Sequence, residues 1–196
     1  MVNSTVFDAV RRGYSELEHT SNSEILDYFD GVTDDAIQGH VSNIKGILFE
    51  QTYVEQLAEH GVQAQLFEAT NHPVSDIALM SGGDIAAEMQ LKATDSVSYI
   101  NETLADNPDI AVVTTSEVAA QVDPNLLEAG LVIDSGISNQ DLNTEVSSAI
   151  FGETSSEIGL DATSEVGAEL LSDAIIPISP IGLGVSAIGA LFGIFI

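Results

Sequence analysis

Two strand-like segments joined by a pair of glycines restrict the fold of this chain more than any other feature. Residues 74–80 and 85–93 both have the pattern of a β-strand, and Gly82 and Gly83 lie in the short segment between them. Adjacent glycines accept the positive φ angles of a tight turn between antiparallel strands. The sequence therefore predicts a β-hairpin, around which the rest of the fold must be arranged.

The segment before the hairpin predicts helices and one more strand. Residues 43–60 carry apolar side chains at three-and-four spacing, starting from Asn43, which is a residue type that caps helices. Residues 62–69 alternate like a strand. Further upstream, short amphipathic patterns near residues 6–17 and 23–29 predict N-terminal helices.

The segment after the hairpin predicts a helix and a buried strand. Ser96 can cap a helix that runs to about residue 105, and residues 110–114 form a short β-branched run typical of a buried strand. Together with the upstream segments this gives the order αβββαβ. The predicted fold class is α/β with a mixed sheet, N-terminal helices and an apolar C-terminal helix.

Polar side chains alternate with apolar ones in the second strand of the predicted hairpin. Because side chains of a strand point to opposite faces in turn, Glu88, Gln90 and Lys92 share one face. The hairpin folds Asp76, at the start of the preceding strand, back toward them. Two carboxylates and a carbonyl oxygen suit a hard cation such as Mg²⁺ or Mn²⁺, and Lys92 is suited to polarise an attacking water. The sequence predicts a phosphodiesterase type of metal site.

These residues also form a recognisable motif. Pro73-x-x-Asp76 followed by Glu88-x-Gln90-x-Lys92 resembles the motif of the PD-(D/E)xK, or restriction-endonuclease-like, nuclease superfamily, whose shared core is similar to the predicted αβββαβ order. The superfamily usually has an acid two positions before the lysine. Gln90 at that position resembles the QxK variant of Mrr-type restriction enzymes.

A second resemblance lies in the predicted helix of residues 43–60. The run from Lys45 to Glu50, KGILFE, resembles the first-helix motif of Holliday-junction resolvases, in which a helix glutamate faces the metal site. The resemblance implies a Mg²⁺- or Mn²⁺-dependent endodeoxyribonuclease that hydrolyses phosphodiester bonds in DNA. In this interpretation Asp76 and Glu88 hold the metal, and Lys92, Gln90 and Glu50 are the catalytic residues.

The charge of the chain opposes a nucleic-acid role. Its 31 acids and 4 bases give a formal net charge of -27, so the molecule as a whole should repel phosphate. A surface adapted to molar salt and a basic protein partner both explain such acidity. Cysteine is absent from the sequence, which excludes disulfides, thiolate metal ligands and a cysteine nucleophile.

Two further functional hypotheses therefore stand beside the nuclease. One is a non-catalytic interaction or structural protein on a decayed nuclease fold, which would use its acidic surface for a basic partner. The other is a small membrane-active protein whose remaining residues only carry an apolar tail. Convergence of the residues named above would favour the first two hypotheses over the third.

The apolar tail is residues 174–196, which contain no charged side chain and satisfy the hydropathy criterion for a membrane span. Pro177 and Pro180 interrupt its start, and they leave a helix of about 24 Å against a bilayer core of about 30 Å. Membrane insertion, packing on protein and truncation of a longer chain remain open. No secretory signal is predicted, so the expected location is membrane-associated or cytoplasmic.

Four segments follow from these patterns. We expect an N-terminal helical segment at 1–42, a nuclease-like core at 43–133, a partly helical acidic connector at 134–172 and the tail at 173–196.

Overall fold

A computed structural model describes residues 4–67 and 74–152 of the protein. Its N-terminal part is helical, with a short 3₁₀ turn at Ser15–Leu17 between the first two helices. The helices are α1 (Ser4–Gly13), α2 (Asn22–Asp30) and α3 (Asp34–Glu59). Ser21 and Glu24 form a reciprocal capping box at the start of α2, so the predicted N-terminal helices are present and locally encoded.

Five strands and four helices follow in the remainder of the described chain. The strands are β1 (Ala64–Leu66), β2 (Ile77–Ser81), β3 (Asp84–Lys92), β4 (Ala111–Thr114) and β5 (Val132–Asp134). The helices are α4 (Val97–Asp106), α5 (Ser116–Ala119), α6 (Pro124–Glu128) and α7 (Asn139–Val146), which continues into a π-helical turn at Ser147–Phe151.

Within the described residues the strands form one mixed sheet in the order β1-β2-β3-β4-β5. The β1–β2 and β2–β3 pairs are antiparallel, and the β3–β4 and β4–β5 pairs are parallel. Gly82 and Gly83 form the turn of the β2–β3 hairpin with φ angles of 62° and 95°. The predicted α/β class, the mixed sheet and the αβββαβ order from α3 to β4 are confirmed.

Apolar side chains pack on both faces of the sheet. On one face, α1, α3 and α7 cover Ile77, Met89 and Leu91 in the larger core. On the other, Ile100 of α4 packs with Val112 of β4 in a smaller cluster. Met89 and Leu91 therefore point to the α3 face, and the side chains between them point away from it.

Helix α3 starts earlier than the sequence prediction. It begins at Asp34, and Asn43, predicted as its cap, is an exposed residue inside the helix. The prediction was wrong because the buried stripe extends upstream through Ile37 and Val41. Asp34 in the first turn also favours this start, since acids stabilise the positive end of the helix dipole. Strand β1 is shorter than the predicted 62–69.

The last described residues belong to the core. They lie within the predicted connector of residues 134–172, where α7 and the following turn bury Leu142, Val146 and Ile150 in the larger cluster. Residues 153–196, which include the apolar tail, lie outside the described residues. Among the helices that are described, none combines the length and the apolar character needed to cross a membrane.

Candidate active site

Asp76 lies immediately before β2 and is fixed by its own backbone and side chain. Its N–H donates to the carbonyl of Met89 (2.9 Å), and its carbonyl accepts from the N–H of Phe67 (3.2 Å). Its carboxylate oxygen Oδ2 accepts from the N–H of Leu91 at 2.7 Å. Bonds to two neighbouring segments therefore set the direction of this carboxylate.

Lys92, at the end of β3, meets that carboxylate. Its Nζ lies 3.9 Å from Oδ2 of Asp76, and both side chains are largely buried, with exposures of 19% and 14%. The distance is too long for a hydrogen bond, so the two groups attract through charge and keep room for further partners. The structure thus brings together the aspartate and the lysine of the predicted motif.

Glu88 and Gln90 occupy the two alternate positions before Lys92. Glu88 accepts a hydrogen bond from the hydroxyl of Ser75 at 2.5 Å, and it pairs across the hairpin with Ala78. The side-chain oxygen Oε1 of Gln90 is buried and has no hydrogen-bond partner among the described residues. A buried amide oxygen without a donor is costly, and a cation is one kind of group that would satisfy it.

Glu50 reaches the same region from α3. Its pKa is raised to about 7, mainly by burial and also by the negative charge of Asp76, while the cations Arg12 and Lys92 oppose this rise. Nη2 of Arg12 lies 3.8 Å from Oε2 of Glu50. A carboxyl group with a pKa near neutrality can accept or donate a proton, which is what acid–base catalysis requires.

Arg12 is a member of this region that sequence reasoning missed. It is on α1, outside the predicted core, and its Nη2 also donates to the carbonyl of Phe67 at 2.8 Å. No motif marks it. The scarcity of bases was the available signal, because a chain with only 4 Lys and Arg residues places few of them without a structural or chemical reason.

The acids of the site come from α3, from the residue before β2 and from β3, and they do not form a metal-binding cluster among the described residues. Within residues 4–67 and 74–152, no group of three or more His, Cys, Asp or Glu side chains is arranged to hold a metal ion. Asp76, Glu88 and Glu50 therefore do not form such a group. Any metal at this site would depend on one or two carboxylates with amide, backbone or water oxygens.

The second lysine of the chain belongs to a different polar group, which we call the Lys45 cluster and which contains Lys45, Glu117, Ser138 and Asn139. Lys45 is buried, and its Nζ donates to Oδ1 of Asn139 at 2.8 Å. Burial lowers the pKa of Lys45, while the charges of Asp95 and Glu117 oppose that shift. The lysine of the KGILFE run thus binds α7 rather than Asp76.

Glu117 completes the Lys45 cluster. Its carboxylate accepts hydrogen bonds from the hydroxyl of Ser138 (2.6 Å) and from the N–H groups of Asn139 (2.8 Å) and Gln140 (3.3 Å). Burial acts to raise the pKa of Glu117, but these hydrogen bonds outweigh it and lower the pKa. The cluster joins α3, α5 and the start of α7.

Comparison of the chain with protein families, with curated proteins and with solved structures finds no match. The protein is therefore classified by its fold, as an α/β protein with N-terminal helices and a mixed five-stranded sheet within the described residues.

Proposed function

We propose that this protein is a metal-dependent nuclease of the PD-(D/E)xK type that hydrolyses phosphodiester bonds in DNA. The observation that carries the proposal is the meeting of Asp76 and Lys92 at 3.9 Å beside a buried Glu50 whose pKa is about 7. The site thus combines the carboxylate of Asp76 before β2, the ammonium group of Lys92 on β3, and the carboxyl group of Glu50 on α3, which can exchange a proton at neutral pH. Structural ion pairs do not require the third group, whereas phosphodiester hydrolysis uses it.

The oxygen atoms of the site fit a hard divalent cation. Mg²⁺ usually takes only one or two carboxylates and keeps several waters. The carboxylate of Asp76 is held rigidly, Oε1 of Gln90 has no donor among the described residues, and Glu88 follows on the same face of β3. These residues would hold Mg²⁺ or Mn²⁺, and a bound cation would supply positive charge at the phosphoryl group and lower the pKa of a water.

The side chains around this position have complementary tasks. The ammonium group of Lys92 can orient the attacking water and offset the charge that grows on the phosphoryl oxygens. Glu50 can accept a proton from that water, because at neutral pH a large fraction of it is already ionised. Asp76 keeps Lys92 in place through charge, and the N–H of Leu91 keeps Asp76 in place.

The topology also supports the proposal. The antiparallel β2–β3 pair next to the parallel β3–β4 pair, after a long α3 and with α4 between β3 and β4, is the order that the resemblance implies. Strand β5 then extends the sheet on the side away from the hairpin.

A non-catalytic interaction protein on a decayed nuclease fold is the second candidate. It is favoured by the lack, in the described part of the chain, of a three-residue metal group of acids and histidines. The formal charge of -27 points the same way, since it suits a basic partner better than DNA. The second candidate has the same fold as the first but does not catalyse hydrolysis.

Cleavage assays on the full chain separate the two candidates. Plasmid and branched DNA are incubated with Mg²⁺, Mn²⁺ or a chelator, at low and at molar salt. The informative variant is Asp76→Asn, and its matched control is Asp84→Asn, which removes the same charge from an exposed position of the hairpin turn.

The proposal predicts metal-dependent nicking by the wild type and by Asp84→Asn, and none by Asp76→Asn. Activity should persist at molar salt, because few basic contacts exist to be screened. Equal cleavage by Asp76→Asn and the wild type would reveal a contaminant, and no cleavage of either DNA under any condition would favour the interaction protein.

A further inference from the structure

Positive charge is concentrated at the candidate active site. The chain has 4 bases, and two of them, Arg12 and Lys92, act on the same acid, Glu50, from α1 and β3. The rest of the molecule carries a large excess of acids and repels phosphate. A local pair of cations inside such a surface is the place where an anionic substrate meets the least repulsion.

The guanidinium of Arg12 uses few of its hydrogen-bonding groups within the described residues. An arginine has five N–H donors. Nη2 of Arg12 donates to the carbonyl of Phe67, and its distance of 3.8 Å to Glu50 exceeds that of a hydrogen bond. Its Nε is buried and has no acceptor in the part of the chain that the structure describes. The side chain keeps an exposure of 21%.

The neighbouring arginine shows what a fully engaged guanidinium looks like in this protein. Nε of Arg11 donates to the carbonyl of Thr20 (3.0 Å), Nη1 to Asp8 (2.8 Å), and Nη2 to Asn22. Arg11 thus has a partner for each of its nitrogen atoms and joins α1 to α2. Arg12, one residue later, lies beside Glu50 and has donors without an acceptor among the described residues.

The position of Arg12 is set by core packing and not by its own bonds alone. Val6, Phe7 and Val10 of α1 are buried in the core that also contains α3. Gly13 allows a close approach, since a methyl group there would lie 2.4 Å from Cδ1 of Ile47. The packing of helix α1 in the core therefore holds Arg12 beside Glu50.

We propose that Arg12 is a phosphate-binding residue, which holds a phosphodiester group of the nucleic-acid strand next to Asp76 and Lys92. The inference rests on the proposed function for the identity of the strand. Arginine suits this task because its planar donors form short, charge-assisted hydrogen bonds with phosphate oxygens. The N-terminal helix would then be part of the substrate-binding surface as well as of the fold.

Arginine side-chain NMR tests the binding directly. The chain contains only two arginines, so a full chain labelled with ¹⁵N-arginine gives two Nε–H signals, which Arg11→Gln and Arg12→Gln assign. The probe is the dinucleotide dTpdT, titrated in the presence of Ca²⁺. We expect a saturable shift of the Arg12 signal and an unchanged Arg11 signal. Shifts of both signals together, or of neither, would overturn the inference.

Affinity measurements give a second test in the same buffer. For a branched DNA with Ca²⁺, Arg12→Gln should bind about tenfold more weakly, and its salt dependence should fall by about one counterion. Arg11→Gln should stay within about twofold of the wild type, because that charge lies outside the site. Equal weakening by both variants would show a general charge effect and contradict a specific role for Arg12.

The two proposals fail in different ways. An Arg12 shift with dTpdT and no cleavage of plasmid or branched DNA would refute the nuclease and leave the phosphate site. Metal-dependent cleavage with a silent Arg12 signal would refute the phosphate site and leave the nuclease.

Discussion

The two lysines of this protein lie in opposite kinds of surroundings. Lys45 is buried, has lost part of its basicity to desolvation and donates a 2.8 Å hydrogen bond to Asn139. Lys92 is largely buried too, but it lies 3.9 Å from Asp76, without a close hydrogen bond in that pair. Around Lys45 the carboxylate of Glu117 accepts three hydrogen bonds, whereas near Lys92 the amide oxygen of Gln90 has no donor among the described residues.

The difference between the two lysines distinguishes a polar cluster that stabilises the fold from one that is suited to bind a ligand. A polar cluster whose members satisfy one another ties elements together and has little capacity for a ligand. A cluster that leaves charges and oxygen atoms under-satisfied costs stability, and such sites are where function is expected. The Lys45 cluster is of the first kind, and the region of Asp76 and Lys92 is of the second.

The largest expected effects come from replacing each of the two lysines with alanine. Lys92→Ala should lower cleavage at least about a thousandfold, because charge stabilisation at the phosphoryl group is lost, with a change in unfolding free energy within about 1 kcal/mol. Lys45→Ala should cost about 1–3 kcal/mol of stability, since Asn139 loses a buried donor, and should keep the activity per folded molecule. Denaturant unfolding and plasmid nicking measure both. Loss of activity in Lys45→Ala and not in Lys92→Ala would reverse the assignment.

Truncation of a core side chain on the same strand should have the opposite effects of Lys92→Ala, because it should lower stability and keep activity. Leu91→Ala removes a side chain that is 5% exposed, and we expect it to cost about 2–5 kcal/mol. Its main-chain N–H still holds Asp76, so folded molecules should remain active. Ile85→Ala, at an exposed position of β3, is the matched control and should cost less than about 0.5 kcal/mol. A stable Leu91→Ala would contradict the packing of β3 on α3.

The burial of Glu50 should destabilise the native state as the pH rises. Its pKa is about 7 in the fold and near 4.5 when unfolded, so the unfolded state releases the proton first, and stability falls between these values. Glu50→Gln removes this cost. We expect a gain of roughly 1 kcal/mol at pH 5 that grows to about 3 kcal/mol at pH 8.

Melting curves of Glu50→Gln at pH 5 and pH 8, with Glu55→Gln as an exposed control on the same helix, measure this difference. Cleavage should fall in Glu50→Gln only. A gain that does not change with pH would mean that Glu50 is ionised in the fold at all pH values tested.

The smallest expected effect concerns Glu117. Its lowered pKa stabilises the fold above the unfolded value near 4.5, and that contribution is lost as the pH falls through the lower folded pKa. Glu117→Gln should therefore cost about 1–2 kcal/mol at pH 7, as for a lost helix cap. Below pH 4.5 the difference from the wild type should shrink. Glu128→Gln, an exposed control, should be neutral at both pH values.

Sequence periodicity was sufficient to predict the hairpin and the order of elements. The alternation of Met89 and Leu91 with polar residues fixes which face of β3 is buried, and Gly82 and Gly83 fix the turn. The start of α3 was not predictable from a capping residue, because Asn43 is a good cap that tertiary packing places inside a helix. The burial of α7 was also missed, since Leu142 and Val146 stand alone among polar neighbours.

The candidate site was predictable only in part. Residues on one hairpin share a face through strand geometry, so Asp76 and Lys92 were within reach of a sequence argument. Arg12 was not, because its place beside Glu50 depends on how α1 packs against α3, a contact that no local pattern encodes. The hydrogen bond from Lys45 to Asn139 could not be predicted either, because it also depends on how helices pack.

Binding of Mn²⁺ to the full chain, followed by electron paramagnetic resonance in molar KCl, tests whether Asp76 belongs to a metal site. Molar salt screens the weak and unspecific attraction of the acidic surface. We expect one Mn²⁺ per chain in the wild type and in Asp84→Asn, and an affinity at least about tenfold lower in Asp76→Asn. Equal affinity and stoichiometry in all three proteins would contradict a metal site at Asp76.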